Sequence, residues 1–188
     1  MSQLSGDGDS STSAHLIDMN NIVLTGFMGT GKSTVGRILA RRLEMEFVDT
    51  DQMIQRRHGP IPRIFDEQGE AGFRDIERAI ATELSTDVGY VISTGGRFML
   101  DPHNAALLRP GNRIFCLVAD TEVIMERVMR RRSSRPMLAG PDARQRVTDL
   151  MAERADGYAQ FEAVTTDQHH PNQVVDDIIE RLRTPAAT

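Results

Sequence analysis

Residues 26 to 33 run Gly-Phe-Met-Gly-Thr-Gly-Lys-Ser. The run fits the pattern G-x-x-x-x-G-K-[ST], in which each position has a physical task. Glycines let backbone N–H groups wrap phosphate oxygens at a helix start, where the helix dipole also favours an anion. The Lys32 ammonium is placed to reach the β- and γ-phosphates, and the Ser33 hydroxyl to ligate Mg2+. A nucleoside triphosphate is therefore the expected ligand, cradled by Gly29, Thr30, Gly31, Lys32, Ser33 and Thr34. Whether it phosphorylates a substrate, drives a motion or carries a signal depends on other residues.

Two acids follow in "FVDTD". Asp49 and Asp51 are two apart, which on a strand puts both on one side. In a parallel α/β sheet the carboxyl ends of the strands meet at the ligand crevice. One carboxylate there suits removal of a proton from an acceptor hydroxyl, and a second suits the water ligands of Mg2+. The alternative is a pair of solvated acids at the start of the next helix. Arginines come next. Arg74 lies three residues before Glu77 on a helical pattern, Arg135 in the breaker-rich "SSRPMLAGP", and Arg154 on the helix beyond it. A guanidinium fork matches a carboxylate or phosphate, and a loop joining two helices over a nucleotide site can close as a lid. Each arginine taken alone also suits a solvated surface, as does the run Arg130, Arg131, Arg132 at a helix end.

Together "GFMGTGKSTVGRILARRL", "FVDTD", "FRDIE", "STGG", "RPMLAGPD" and "ER" with Tyr158 shortly after resemble the shikimate kinase family, over about Asn21 to Arg183. The resemblance implies a kinase that passes the γ-phosphoryl group of ATP to the 3-hydroxyl of shikimate, on the route to chorismate and the aromatic amino acids, with Mg2+ and as a monomer. It implies that Ser33 and Asp49 serve the metal, Asp49 through water, and that Asp51 is the base for the acceptor hydroxyl. Arg74 and Arg154 would bind the substrate carboxylate, Glu77 would hold Arg74, and Gly95 and Gly96 would line the pocket with backbone. Arg135 would reach from a lid at about 131–142 toward substrate and transferring phosphate. An adenine-stacking arginine would lie just before the lid, and the choice among Arg130, Arg131 and Arg132 stays open.

Two departures from the family pattern stand out. Arg97 replaces the glycine that follows "STGG", and "RADGYAQF" lacks a proline before its tyrosine. Arg97 adds a long cation where the backbone is expected to approach substrate, and disfavours a positive φ. It could point outward, add a donor for an acidic or phosphorylated substrate, or block shikimate. Two other functions fit the motifs: a kinase of the same fold for another acidic hydroxylated molecule, and a nucleotide-binding regulator with its acceptor site lost. The joint presence of Asp51, Arg74, Arg135 and Arg154 speaks against the regulator.

These groups need a scaffold, and the patterning supplies one. "NIVLTGF", "EFVDTD", "YVISTGG", "NRIFCLVA" and "EAVTTD" are expected strands. Between them lie helical patterns at 32–43, 52–59, 61–69, 69–85, 102–111, 121–132, 142–161 and 171–183. This alternation predicts a three-layer α/β/α domain with a parallel sheet. The resemblance adds five strands in the order 2-3-1-4-5. One P-loop kinase domain is expected over 20–184, with a disordered tail at 1–19 and a frayed end at 185–188.

Composition fits this: 39% hydrophobic and 26% charged residues, a net charge of −5, and one cysteine, Cys116, inside an apolar run. The charge argues against nucleic acid or an acidic membrane as partner, so a small molecule is expected. No run approaches the roughly 20 apolar residues of a membrane span, and the single thiol suits a reducing cytoplasm.

Overall fold

The computed structural model describes residues 20–130, 142–167 and 169–183. The expected tail, most of the lid with Arg131, Arg132 and Arg135, and the far C-terminus lie outside the described residues. Among those described, five strands alternate with seven helices: β1 (Ile22–Thr25), α1 (Lys32–Arg42), β2 (Glu46–Asp49), α2 (Thr50–His58), α3 (Ile61–Leu84), β3 (Tyr90–Ser93), α4 (Pro102–Leu108), β4 (Arg113–Val118), α5 (Thr121–Arg130), α6 (Ala143–Ala159), β5 (Glu162–Thr165) and α7 (Pro171–Leu182). A short 3-10 turn, Phe98–Leu100, precedes α4.

The strands pair in parallel in the order β2-β3-β1-β4-β5. β1 is central and wholly buried, and its side chains alternate between two cores. Ile22 and Leu24 join Phe115, Leu117, Leu39 and Ile178 beneath α1 and α7. Val23 joins Ile92, Cys116, Ile80 and Leu108 beneath α3 and α4. A third cluster, with Phe27, Ile124, Val128 and Val147, supports the turn after β1 from α5 and α6. Burial on both faces explains why β1 and β4 are apolar runs rather than alternating ones.

One local difference from the sequence expectation matters for the site. The second strand stops at Asp49 instead of running to Asp51, because the Asp49 side chain accepts the backbone N–H of Gln52 and caps α2. Asp51 therefore stands in the first turn of a helix, not two residues along a strand. The patterns expected at 61–69 and 69–85 are both present within α3, as two helical segments that meet at a non-helical Gly69 (φ 70°, ψ −174°). That backbone is open to glycine and closed to most side chains, so the first helical segment ends there and a second begins.

Candidate active site

A cavity of about 470 Å3 opens at the carboxyl ends of the strands. Its floor is the turn from β1 into α1, residues Met28 to Val35, and its walls include Asp49, Asp51, Ser93, Thr94 and Gly96. This is the crevice a parallel sheet creates beside its first strand.

The phosphate loop holds itself in shape. Lys32 Nζ donates to the carbonyls of Gly26 and Phe27 at 2.8 and 2.9 Å, and the Thr30 hydroxyl donates to Phe27 O at 2.8 Å. Gly31, at φ 95°, precedes α1, and the start of a helix favours an anion through its dipole and its leading amides.

Beside the loop the Ser33 hydroxyl donates to Asp49 Oδ2 at 2.7 Å and lies 3.3 Å from the Ser93 hydroxyl. The register explains the meeting: Asp49 pairs with Ser93 across β2 and β3, and Ser93 with Leu24 across β3 and β1. One hydroxyl and one carboxylate in contact form a hard oxygen donor set suited to magnesium. No group of three His, Cys, Asp or Glu able to hold a metal occurs among the described residues. A magnesium ion shared with substrate phosphates and water needs none.

Asp51 faces the loop that follows β3. The backbone N–H of Gly95 donates to the Thr50 hydroxyl at 2.9 Å, drawing this loop against the start of α2. The approach is so close that a Cβ on Gly95 would stand 2.6 Å from Asp51 Oδ1 and 3.3 Å from Glu77 Oε1. Glycine is required there by contact and not by φ, since Gly95 takes no positive φ.

Beyond this loop lie the arginines. Arg74, on α3, donates from Nη1 to Glu77 Oε2 at 2.5 Å. Glu77 is only 2% exposed. Burial pushes its carboxyl pKa up, the Arg74 hydrogen bond and charge oppose that, and the negative charges of Asp51 and Asp101 add to it. Arg154 reaches in from α6 and is buried, its guanidinium 5.6 Å from the centre of the Phe27 ring. Its Nε is buried without a hydrogen-bond partner, and Nη1 stands 3.7 Å from where a Gly96 Cβ would be. Tyr158, one turn on, donates its hydroxyl to the Gly96 carbonyl. Burial, only partly offset by Arg154, raises that phenol to about 12.

Arg97 takes φ −103° and ψ −5°, so its backbone needs no glycine. The side chain is 42% exposed and lies outside the cavity lining, where its Nη1 donates to Glu70 Oε1 at 3.1 Å. Arg97 is thus paired with Glu70, the partner of Arg74, and does not line the cavity beside Lys32 and Asp51.

Arg127 was not singled out by sequence reasoning, yet it lines the cavity from α5 with Thr166, His169, Pro171 and Val174. It donates to Thr166 Oγ1 at 3.0 Å and to the carbonyls of Thr166 and Asp167 at 2.5 and 3.1 Å, and so joins α5 to the turn after β5. The available signal was its spacing: it lies three after Ile124 and one before Val128, on the buried side of its helix. Arg131 lies outside the described residues.

A parallel sheet in this order, with a phosphate loop after its central strand and a carboxylate facing it across one cavity, defines a P-loop kinase for small molecules. The comparisons with known proteins agree. The shikimate kinase family profile matches residues 28–183. A shikimate kinase of Pseudomonas aeruginosa is 45% identical over 88% of this chain and 97% of its own. One from Desulforudis audaxviator is 46% identical over 88% and 87%. The structure of an Acinetobacter baumannii shikimate kinase in complex with shikimate superposes with a TM-score of 0.84 at 31% identity, covering 94% of this chain and 99% of that one. The chain belongs to the shikimate kinase family and is an ATP-dependent small-molecule kinase.

Proposed function

We propose that this kinase transfers the γ-phosphoryl group of ATP to the 3-hydroxyl of shikimate, in the route to chorismate, as a cytoplasmic monomer. The observation that carries the reading is the meeting of a phosphate loop and an acceptor pocket across one cavity. Asp51 and Gly96 share its wall with Lys32 and Ser33, and Arg74 and Arg154 stand behind that wall.

Phosphoryl transfer asks little covalent chemistry of a protein; it asks for alignment and charge neutralisation. Lys32 and the amides of Gly29 to Thr34 hold the β- and γ-phosphates. Arg127 and Pro171, at the far end of the cavity, flank the nucleotide base. Ser33 and Asp49 would hold Mg2+, Asp49 through water, and the ion would supply positive charge to offset that of the phosphates. Arg74 and Arg154 grip the substrate carboxylate, for which the unpartnered buried Nε of Arg154 is a fitting donor. Gly95 and Gly96 present backbone to the ring, and Asp51 accepts the proton of the attacking hydroxyl. Arg135, which lies outside the described residues, would by the family resemblance act on the transferring phosphate.

The test is ADP release from Mg-ATP with and without shikimate. Shikimate-dependent release is expected. ATP binding without stimulation by shikimate would overturn the substrate and turn attention to other hydroxylated acids.

A further inference from the structure

Glu70 lies at the α3 kink, next to Gly69, and its carboxylate is shared. Its Oε1 accepts from Arg74 Nη2 at 3.0 Å, from Arg74 Nε at 3.3 Å and from Arg97 Nη1 at 3.1 Å. The Arg74 hydrogen bond and charge lower the Glu70 pKa against a small opposing effect of burial, and the charges of Arg97 and Arg154 lower it further. Arg74 Nη1 is engaged by Glu77 at 2.5 Å. All three nitrogens of Arg74 are thus bound by carboxylates of the protein itself.

Arg74 has five N–H donors; Glu70 covers its Nε–Nη2 edge through one oxygen and Glu77 takes one donor of Nη1, so a carboxylate ligand that takes the Nε–Nη2 edge in two parallel bonds must displace Glu70. The two acids are not equally able to yield. Glu77 is 2% exposed and has its ionised form to lose by separation from Arg74; Glu70 is 56% exposed and sits at the rim. Glu70 is the one that moves. Released with no cation to receive it, it would leave two carboxylates competing for one guanidinium.

We propose that Glu70 is an internal stand-in for the substrate carboxylate on Arg74, and that Arg97 is a positioning residue that receives Glu70 when substrate displaces it. The inference rests on the reading above, in which the substrate carboxylate binds Arg74. It gives a task to the residue that departs most from the family pattern: Arg97 tunes affinity for the acidic substrate without touching it.

A double-mutant cycle tests this: wild type, Arg97→Gly, Glu70→Gln and the double variant, with KM for shikimate, KM for ATP and kcat measured for each. In the wild-type background Arg97→Gly should raise KM for shikimate about threefold to fivefold, the upper part of the range for exposed ion pairs. KM for ATP and kcat should stay within about twofold, and Arg97→Lys should restore most of the affinity. In the Glu70→Gln background removal of Arg97 should change KM for shikimate less than about 1.5-fold. An equal rise in both backgrounds would overturn the proposal and place Arg97 on the substrate directly. No rise in either would reduce the pair to a surface ion pair and overturn it too. A wild-type enzyme with no shikimate-dependent turnover would overturn the function and this inference together, an outcome distinct from an active enzyme with an additive cycle.

Discussion

In the proposed mechanism Asp51 serves the chemical step and not nucleotide binding. It lies on the cavity wall opposite the phosphate loop and against Gly95. Asp51→Asn keeps the shape and, under the proposed role, removes the proton acceptor. Steady-state kinetics should show kcat falling about 10²- to 10⁴-fold, the usual contribution of a positioned base, with KM for ATP nearly unchanged. An equal loss of ATP affinity would move Asp51 to the nucleotide. At this scale much was legible beforehand: Lys32, Ser33, Asp49 and Asp51 carry chemistry in their type and spacing, and one cavity gathers all four. The geometry that joins the acids was not legible. They meet the cavity because Asp49 ends a strand and caps a helix, not because both share a strand face. Arg127 was missed because an arginine inside an amphipathic pattern looks like its solvated neighbours until the turn after β5 is seen to close over it.

The order of elements follows from the alternation of apolar runs and helical stripes, while their joints depend on single contacts that no periodicity encodes. The break at Gly69 starts a second helical segment that carries Glu70, Arg74 and Glu77. The loop after β3 is the more sensitive joint. Gly95→Ala would put a methyl group 2.6 Å from Asp51 Oδ1 with no change in backbone preference. Either Asp51 or the loop must shift. A displacement of that size should lower kcat about tenfold to a hundredfold while the protein remains folded. A folded Gly95→Ala protein with wild-type kcat would show that the close approach has no part in alignment. Strand order is the feature that pattern alone left open; here it came from resemblance, and the β2-β3-β1-β4-β5 sheet agrees.

The whole molecule is organised so that its central strands are dry on both faces, and Cys116 reports on this. It is 1% exposed on β4, and burial raises its thiol from 9.0 to about 11, with the Lys32 charge pulling the other way. A raised pKa in the folded state means that stability is retained below the unfolded value near 9.0 and declines as pH rises from there to about 11. Ultraviolet titration of thiolate absorbance in the native protein should therefore show its midpoint near 11, and in denaturant near 9.0. A native midpoint near 9.0 would mean that solvent reaches the sheet interior. The same dry scaffold fixes the phosphate loop, which leaves β1 two residues before β4 ends and hangs over its core. A kinase built this way should deliver phosphate to its acceptor and not to water. The measurement that bears on this most directly is 31P and 1H NMR of the reaction mixture with Mg-ATP and shikimate. The account predicts one phosphomonoester on the 3-hydroxyl, formed in step with ADP. Inorganic phosphate formed at the same rate with or without shikimate would contradict it.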